Sequence, residues 1–394
     1  MVTPIRTAVG KFGGSLAPLQ AGALGAIVIK ALVARSGIDP ARIDDVVMGQ
    51  GYASGEAPCV ARFSTLAAGL PETISGVQID RRCGSGLQAV IDAAMRVQTG
   101  AADVVIAGGV ESMSNVEFYS TDHRGGARFG STTFHDRLTR ARLMSQPIER
   151  FGVISGMIET AENLARDYSI SREACDAYAA QSHRRAQAAW AAGKFDDEIV
   201  PVTVPQRKGE PVIFARDEGI RGDATAESLG RLSPIETGGV VTGGNASQQN
   251  DAAAACLVVA EDRLAELGLA AAAWLRGWAV AGCDPSRMGI GPVPAVAQLF
   301  ARTGLGWHDI DLVELNEAFA ARVLACLKGW NWDDRDKLNV NGSRISLGHP
   351  IGATGARILA GLVRELGRRC ARYGLETMCI GGGQGLAAIF ERAT

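Results

Sequence analysis

The sequence predicts an α/β protein built from two related halves, with a further domain inserted between them. Three landmarks near the start of the chain recur near its end, in the same order and at a nearly constant offset. Each half shows a buried apolar strand, then a glycine-rich loop that opens an apolar helix, then a strand that ends in glycines. This repetition is the main basis of the fold prediction.

In the first half, residues 42–49 are predicted to form a buried strand and residues 103–109 the strand that ends in glycines. Between them, the loop CGSGL at residues 83–87 opens a helix whose apolar residues recur at helical spacing. Cys83 is therefore predicted at or just before a helix N-terminus. There the helix dipole and unpaired N–H groups would lower the pKa of its thiol.

The middle of the chain differs in composition from both ends. Polar, arginine-rich runs alternate with helical segments, and the proline-bounded stretch 200–211 predicts short strands and turns. We predict an inserted, ligand-binding domain over residues 117–248. The N-terminal half would then comprise residues 1–116 with 249–271, and the C-terminal half residues 272–394.

In the second half, residues 309–316 repeat the first strand and residues 377–383 repeat the glycine-ended strand. The loop GHPIG at residues 348–352 corresponds to the Cys83 loop, and Pro350 suits the first position of the helix that follows. If the halves are pseudo-symmetric, both loops lie at the carboxyl ends of central strands. Sites in α/β folds gather at this edge of the sheet.

Composition excludes several classes of function. The 40 Lys and Arg against 42 Asp and Glu leave a net charge of −2, without the basic surplus of a nucleic-acid-binding protein. With 47% hydrophobic and 21% charged residues the chain is typical of a well-packed globular protein. No uncharged apolar run is long enough for a transmembrane helix, so no membrane partner is expected.

Cysteine and glycine usage add two expectations. The 8 cysteines include no C-x-x-C pair, so we expect no metal site and mostly buried free thiols in a cytoplasmic protein. The 49 glycines exceed the roughly 28 that average usage predicts for this length. Such a surplus indicates tight turns or close backbone approaches.

Cys83, His349 and Cys379 together favour covalent acyl chemistry, because a cysteine nucleophile with a base and a second thiol can form an acyl-enzyme and move protons. Each residue alone also has a structural interpretation: the cysteines as packed thiols, His349 as a structural residue, and Asn316 as a helix cap. The sequence has no G-x-S-x-G elbow and no P-loop, and its glycine runs lack the dinucleotide-binding spacing.

Motifs along almost the whole chain resemble those of the thiolase family. In family order they are residues 6–14, 83–87, 108–113, 160–163, 243–247, 288–292, 316–319, 339–342, 348–356 and 379–383. The resemblance implies two related βαβαβαββ halves in a layered αβαβα arrangement with an inserted loop domain. It also implies thiolytic cleavage of 3-ketoacyl-CoA and the reverse Claisen condensation, by a ping-pong mechanism through an acyl-cysteine.

The same resemblance implies roles for the candidate catalytic residues. Cys83 would carry the acyl group, with His349 as its activating partner. Cys379 would protonate the departing acetyl-CoA carbanion, or abstract that proton in the condensing direction. Asn316 would hold a water that forms one oxyanion site with His349, and the backbone N–H groups of Cys83 and Gly381 would form the other.

Coenzyme A and acyl-CoA would be substrates, with no tightly bound cofactor, and the family implies a homodimer or homotetramer. The candidate residues for coenzyme A and the acyl pocket are Arg221, Ser228, Ser247, Met157, Ala318, Phe319 and Met288. Taken singly, Arg221 could equally be solvated surface, and the methionines and Phe319 could be core.

Several departures from the family pattern predict a reshaped acyl pocket around an intact catalytic set. Gly156 stands where acetoacetyl-specific members commonly carry a histidine. Gln248 and Gln249 replace a glycine and an apolar residue. Ser343 and Arg344 stand where many members have a second glycine and a small residue.

Three alternatives remain beside an acetyl-CoA acetyltransferase. The first is a thiolase for longer, branched or ring-bearing acyl chains, which the reshaped pocket would suit. The second, a decarboxylating ketosynthase, is disfavoured because Cys379 stands where those relatives use histidine. The third is a catalytically silent acyl-CoA-binding subunit, against which the full catalytic set argues. The acyl chain length and the physiological direction stay open.

Overall fold

The computed structural model describes residues 1–154 and 156–393, which form stacked layers of helix and sheet in the order αβαβα. Ser155, within the predicted insert, and Thr394, the last residue of the predicted C-terminal half, lie outside the described residues. The layered α/β arrangement expected from the family resemblance is confirmed.

Strands and helices alternate along both ends of the chain. The strands are β1 Val2–Thr7, β2 Gly10–Lys11, β3 Asp45–Gly49, β4 Ser75–Ile79, β5 Val104–Ser112, β6 Phe118–Tyr119, β7 His135–Asp136, β8 Ile199–Val200, β9 Val202–Val204, β10 Val212–Phe214, β11 Asn250–Val259, β12 Ala273–Gly282, β13 Leu312–Leu315, β14 Tyr373–Ile380 and β15 Gln384–Arg392. The helices are α1 Ala21–Ser36, α2 Val60–Ala67, α3 Ser85–Gln98, α4 Arg137–Leu143, α5 Ile148–Phe151, α6 Met157–Asp167, α7 Arg172–Ala191, α8 Ala226–Gly230, α9 Pro292–Thr303, α10 Ala320–Trp330, α11 Arg344–Leu347 and α12 Thr354–Arg368. Among these described helices, none is long and apolar enough to cross a bilayer.

The first sheet has the strand order β4-β3-β5-β11-β1-β8, with β2 paired to β11. β3 runs parallel to β4 and β5, whereas β11 runs antiparallel to β5 and β1. Helices α1 and α2 contact this sheet, and α3 and α12 also pack against its strands. Strands β5 and β11 are buried along their whole length. A strand covered on both faces needs apolar residues at successive positions, which explains their continuous apolar runs.

The second sheet repeats this arrangement with the order β12-β15-β14-β13. β13 runs parallel to β14, and β15 runs antiparallel to both β14 and β12. The order and directions match those of β1, β11, β5 and β3 in the first sheet. Leu338 bridges β13 in parallel, in the place that β4 occupies beside β3. The prediction of two related halves is therefore confirmed.

The middle layer consists of α3 from the first half and α12 from the second, which pack against each other. Their contact depends on glycine. A Cβ on Gly355 would lie 2.2 Å from the backbone nitrogen of Leu87, and a Cβ on Gly86 would lie 2.7 Å from the carbonyl oxygen of Gly352. Any larger residue at these positions would push the two helices apart. The close backbone approaches predicted from the glycine surplus are present here.

The chain between β5 and β11 forms the β6–β7 hairpin, helices α4 to α8 and the short strands β8, β9 and β10. α6 and α7 pack against α10 of the second half, and β8 joins the edge of the first sheet beside β1. This segment therefore contacts both halves. Its division from them at residues 117 and 248 stays a prediction.

Candidate active site

A cavity of about 390 Å³ brings together residues from both halves and from the predicted insert. The predicted site residues on its wall are Cys83, His349, Gly381, Met157, Ser247 and Phe319. Gly381 directly follows β14, Asn316 directly follows β13, and Cys83 comes soon after β4. The site thus gathers at the carboxyl ends of parallel strands, as expected for an α/β fold.

Cys83 lies in the short 3-10 turn Arg82–Gly84, directly before α3, as predicted. Burial raises the pKa of its thiol above the ordinary value, although Arg344 and the backbone N–H of Gly381 act in the opposite direction. The sequence-based prediction that the helix N-terminus lowers this pKa is therefore wrong. The cost of burying a thiolate exceeds the stabilisation available at the turn, so Cys83 is a thiol in the resting site.

His349 lies in the loop between α11 and α12, and its side chain is buried. Pro350 is predicted to open the following helix, but α12 begins several residues later, so this prediction is wrong. The N–H groups of the loop have other partners. His349 donates its backbone N–H to Oδ1 of Asn250 at 2.8 Å, and Gly352 donates to Oε2 of Glu111 at 2.9 Å. These buried side chains hold the loop in a non-helical course.

The imidazole of His349 is held in one tautomer. Its Nδ1 lies 2.7 Å from Oγ1 of Thr354, and that hydroxyl donates to the carbonyl oxygen of Pro350 at 2.9 Å. Because a hydroxyl has a single hydrogen, it must accept from Nδ1–H. The lone pair therefore lies on Nε2, which is buried without a partner among the described residues. Burial, reinforced by nearby arginines such as Arg344, lowers the pKa of His349 well below 6.5.

Cys379 and Asn316 are buried and do not line the cavity. Cys379, near the end of β14, packs in an apolar cluster with Met288, Ala318 and Phe319. The side chain of Asn316 has no hydrogen-bond partner for Nδ2 or Oδ1 within residues 1–154 and 156–393. Because buried polar groups are normally hydrogen-bonded, this amide requires a partner, such as a water or a ligand, that the described residues do not supply.

Arg322 on α10 is a site residue that the sequence analysis missed. Its Nη1 lies 3.8 Å from Sγ of Cys379, and its Nη2 donates to the carbonyl oxygen of Met157 and to Oγ1 of Thr160. The guanidinium also lies over the ring of Phe319, 4.5 Å from its centroid. These contacts place a positive charge beside the Cys379 sulfur. The sequence feature that could have identified Arg322 is a charged residue within the apolar run of a predicted buried helix.

Arg344, noted from the sequence only as a departure from the family pattern, lies on the cavity wall. It is 7% exposed, and its Nε and Nη1 have no partner in the part of the chain that the structure describes. Burial lowers its pKa to about 10, against the influence of the Cys83 and Cys379 thiols. Arg82 and Arg142 also line the cavity, which makes its wall rich in positive charge.

The candidate coenzyme A residues fall into three groups. Ala318 and Met288 do not line the cavity and lie in the buried apolar cluster with Cys379. Met157, Ser247 and Phe319 line the cavity, where an acyl or pantetheine chain could contact them. Arg221 and Ser228 are exposed and do not line it. Their contact with coenzyme A stays a prediction.

Comparison with known proteins covers nearly the whole chain. The family model described as Thiolase, N-terminal domain matches residues 1–262, and the one described as Thiolase, C-terminal domain matches residues 269–392. An acetyl-CoA acetyltransferase of Cupriavidus necator is 45% identical over 394 residues, which cover 100% of this chain and 98% of that protein. The beta-ketothiolase BktB of the same organism is 44% identical over 100% of this chain and 98% of its own length. The crystal structure of the Bacillus anthracis acetyl-CoA acetyltransferase matches with a TM-score of 0.95 at 42% identity, covering 100% of this chain and 98% of that one. The chain therefore belongs to the thiolase family.

Proposed function

We propose that the protein is an acetyl-CoA C-acyltransferase. It cleaves 3-ketoacyl-CoA with coenzyme A into acetyl-CoA and a shortened acyl-CoA, and it catalyses the reverse Claisen condensation. The observation that carries this proposal is the meeting of a buried thiol, Cys83, a neutral base, His349, and the backbone of Gly381 in one cavity. The full-length relatives named acetyl-CoA acetyltransferase support the reaction class. Coenzyme A thioesters are then substrates rather than resident cofactors.

The first half-reaction uses Cys83 and His349. The Cys83 sulfur attacks the 3-keto carbon while its proton passes to Nε2 of His349, the nitrogen whose lone pair the contact with Thr354 leaves free. The C2–C3 bond of the substrate then breaks. The acyl group stays on Cys83 as a thioester, and the electron pair leaves with the acetyl-CoA fragment as an enolate.

Cys379 supplies the proton that completes acetyl-CoA. Its thiol protonates the enolate carbon, and the thiolate that remains lies beside the Arg322 guanidinium, 3.8 Å away. In the second half-reaction this thiolate takes the proton of the incoming coenzyme A thiol. The coenzyme A sulfur attacks the thioester, and the departing Cys83 sulfur recovers its proton from His349.

Two sets of donors would stabilise the negative charge on oxygen. The backbone N–H groups of Cys83 and Gly381 form one, and His349 with a water held by Asn316 forms the other. The unpaired amide of Asn316 supports this second role. A preorganised donor of this kind is worth roughly 3–4 kcal/mol in the transition state.

The test is the variant Cys83→Ala, examined by intact-protein mass spectrometry after incubation with acetyl-CoA. We expect the wild-type protein to gain one acetyl group and the variant to gain none, with thiolysis reduced to background because the nucleophile is absent. Cys370→Ala, which removes an exposed free thiol, is the matched control and should acylate normally. An acetyl adduct on Cys83→Ala would overturn the assignment. Absence of turnover in the wild-type protein would favour the silent acyl-CoA-binding subunit.

We further propose that the chain acts as a homodimer or homotetramer in the cytoplasm. β4 is the terminal strand of the first sheet and is only partly covered, so it has an edge that a second copy could cover. The 8 free cysteines suit a reducing compartment. Native mass spectrometry of the purified protein tests the assembly, and a monomer at micromolar concentration would contradict it.

A further inference from the structure

Arg344 differs from the other deeply buried arginines of the described chain in having no compensating group. Arg6 pairs with two buried carboxylates at 2.6 and 2.7 Å. Arg322 donates to two oxygens and lies against a sulfur. Arg357 has unpaired nitrogens too, but the carboxylate of Glu314 acts on it. A buried guanidinium is costly unless it is paired, so the position of Arg344 requires an explanation.

The groups that act most strongly on Arg344 are the thiols of Cys83 and Cys379 and the guanidinium groups of Arg322 and Arg142. None of them is a carboxylate, and two of them are cations that repel it. The cavity wall does include Glu236, but this half-buried residue is not among those groups. Within residues 1–154 and 156–393 no carboxylate forms an ion pair with this guanidinium, so a ligand in the cavity is the remaining source of a paired anion.

The phosphates of coenzyme A do not fit this position. Arg344 lies close enough to Cys83 and Cys379 for each thiol to influence its charge. In the proposed reaction the thioester and the keto group react beside those sulfurs, and the whole pantetheine arm separates them from the phosphates. Apart from the transient thiolate and enolate of the proposed reaction, an anion that reaches Arg344 must therefore belong to the acyl chain.

We propose, building on the proposed function, that Arg344 binds a carboxylate at the far end of the acyl chain, so that the preferred substrates are 3-oxoacyl-CoA thioesters of dicarboxylic acids. Arg344 brings to the cavity wall a planar, charged guanidinium whose Nε and Nη1 have no partner among the described residues, and a guanidinium is the side-chain group that suits carboxylate binding. When the C2–C3 bond breaks, this carboxylate stays on the shortened acyl group that Cys83 carries.

Arg142 and the apolar part of the cavity wall also match an acyl chain that ends in a carboxylate. Arg142 lines the cavity and acts on Arg344, so it adds positive potential without neutralising it. Met113, Tyr52 and Ile351 also line the cavity and provide apolar surface for the methylene groups of an acyl chain. A chain that is apolar along its length and anionic at its end matches both features.

The first test compares 3-oxoadipyl-CoA, whose acyl chain ends in a carboxylate, with 3-oxohexanoyl-CoA, which ends in a methyl group. We expect wild-type kcat/KM to favour the carboxylate by at least about tenfold, and Arg344→Ala to reduce this ratio by roughly 30-fold or more. Arg344→Lys keeps the charge without the planar guanidinium and should give an intermediate ratio. Arg263→Ala, which removes an exposed arginine, is the matched control and should leave the ratio unchanged.

A second measurement needs no variant and so does not depend on the folding of Arg344→Ala. Wild-type protein is offered succinyl-CoA and butyryl-CoA in competition, and the adduct on Cys83 is identified by mass spectrometry. Predominant succinylation supports the proposal. Equal or preferential butyrylation, or an equal loss of both thiolysis activities in Arg344→Ala, overturns it in favour of a general electrostatic role for Arg344. If the wild-type protein cleaves neither 3-oxoadipyl-CoA nor 3-oxohexanoyl-CoA, the proposed function itself is refuted.

Discussion

Cys83 and His349 are both pushed toward their uncharged forms. Burial raises the pKa of the Cys83 thiol, and burial together with Arg344 and other nearby arginines lowers the pKa of His349. A buried thiolate–imidazolium pair is therefore not the resting state. The proton must move from Cys83 to His349 as the sulfur attacks, and the tautomer fixed by Thr354 leaves Nε2 ready to receive it.

This charge state predicts the acidic limb of the pH–rate profile. Because burial and nearby arginines hold the pKa of His349 well below 6.5, the imidazole becomes protonated, and stops acting as a base, only on acidification below that pH. We expect kcat/KM for thiolysis to reach half its plateau below pH 6.5. The measurement covers about pH 5 to pH 8 at constant ionic strength. Samples returned to neutral pH serve as the control for irreversible unfolding. A half-loss at pH 6.5 or above would show that His349 is not held neutral as described.

The sequence was sufficient to name the candidate catalytic residues, because each belongs to a short motif with a characteristic neighbour. It was not sufficient for Arg322 and Arg344. Their importance depends on burial and on the direction of a long side chain, neither of which is encoded in local spacing. The direction of the Cys83 pKa was wrong for the same reason, since the helix N-terminus is visible in the sequence and the depth of burial is not.

Among the elements, α12 determines where the His349 loop lies, and its last turn is anchored by Glu365. This carboxylate accepts from Asn341 at 3.0 Å, from Arg369 at 2.8 Å and from Arg368 at 2.9 Å, and it pairs with Lys194 at 3.1 Å. Burial alone would raise the pKa of Glu365, but these donors outweigh it and lower the pKa to about 2. Lys194 lies in the predicted insert, so this contact also joins the insert to the second half.

The hydrogen bonds and ion pair of Glu365 predict a pH-dependent loss of stability in Glu365→Gln. A carboxyl group whose pKa falls from 4.5 to about 2 on folding stabilises the fold above pH 4.5 and loses that contribution as the pH falls toward 2. We expect the variant to lose roughly 2–3 kcal/mol of unfolding free energy at pH 7. The difference from wild type should shrink by about 1 kcal/mol at pH 3.5.

Urea denaturation at both pH values provides the measurement. Glu227→Gln is the control, because Glu227 forms only an exposed ion pair with Arg231 and should show no measurable effect. An equal cost of Glu365→Gln at pH 7 and pH 3.5 would rule out the ionised carboxylate as the source of the stability.

Element boundaries were predicted less well than element order. The strands around residues 45–49 and 312–315 fall inside the predicted runs, because a buried strand needs an apolar residue at nearly every position. The start of α12 was misplaced to Pro350. The backbone N–H groups of His349 and Gly352, on either side of this proline, donate instead to Asn250 and Glu111, which come from distant parts of the chain. Contacts of that kind cannot be inferred from the local pattern.

At the scale of the whole molecule, the site exists only where the two halves meet. Cys83 comes from the first half, whereas His349 and Cys379 come from the second, and Ser247 belongs to the predicted insert. The internal repeat made this pairing predictable from the sequence, since equivalent loops of related halves occupy equivalent places. The glycine surplus was less specific. It indicated close backbone approaches, and the structure places several of them between α3 and α12.

This contact predicts opposite effects for two glycines on the same helix. In Gly355→Ala the new Cβ would lie 2.2 Å from the backbone nitrogen of Leu87, and backbone cannot rotate away as a side chain can. We expect a loss of roughly 1–3 kcal/mol in unfolding free energy. A fall in kcat should accompany it, because separating α12 from α3 moves His349 relative to Cys83. In Gly367→Ala the new Cβ meets nothing within 4 Å, so stability should be unchanged or rise by up to about 1 kcal/mol, with normal activity. Urea denaturation and steady-state thiolysis measure both effects. If Gly355→Ala were as stable and as active as Gly367→Ala, the two halves would not be held together by close contact of these helices.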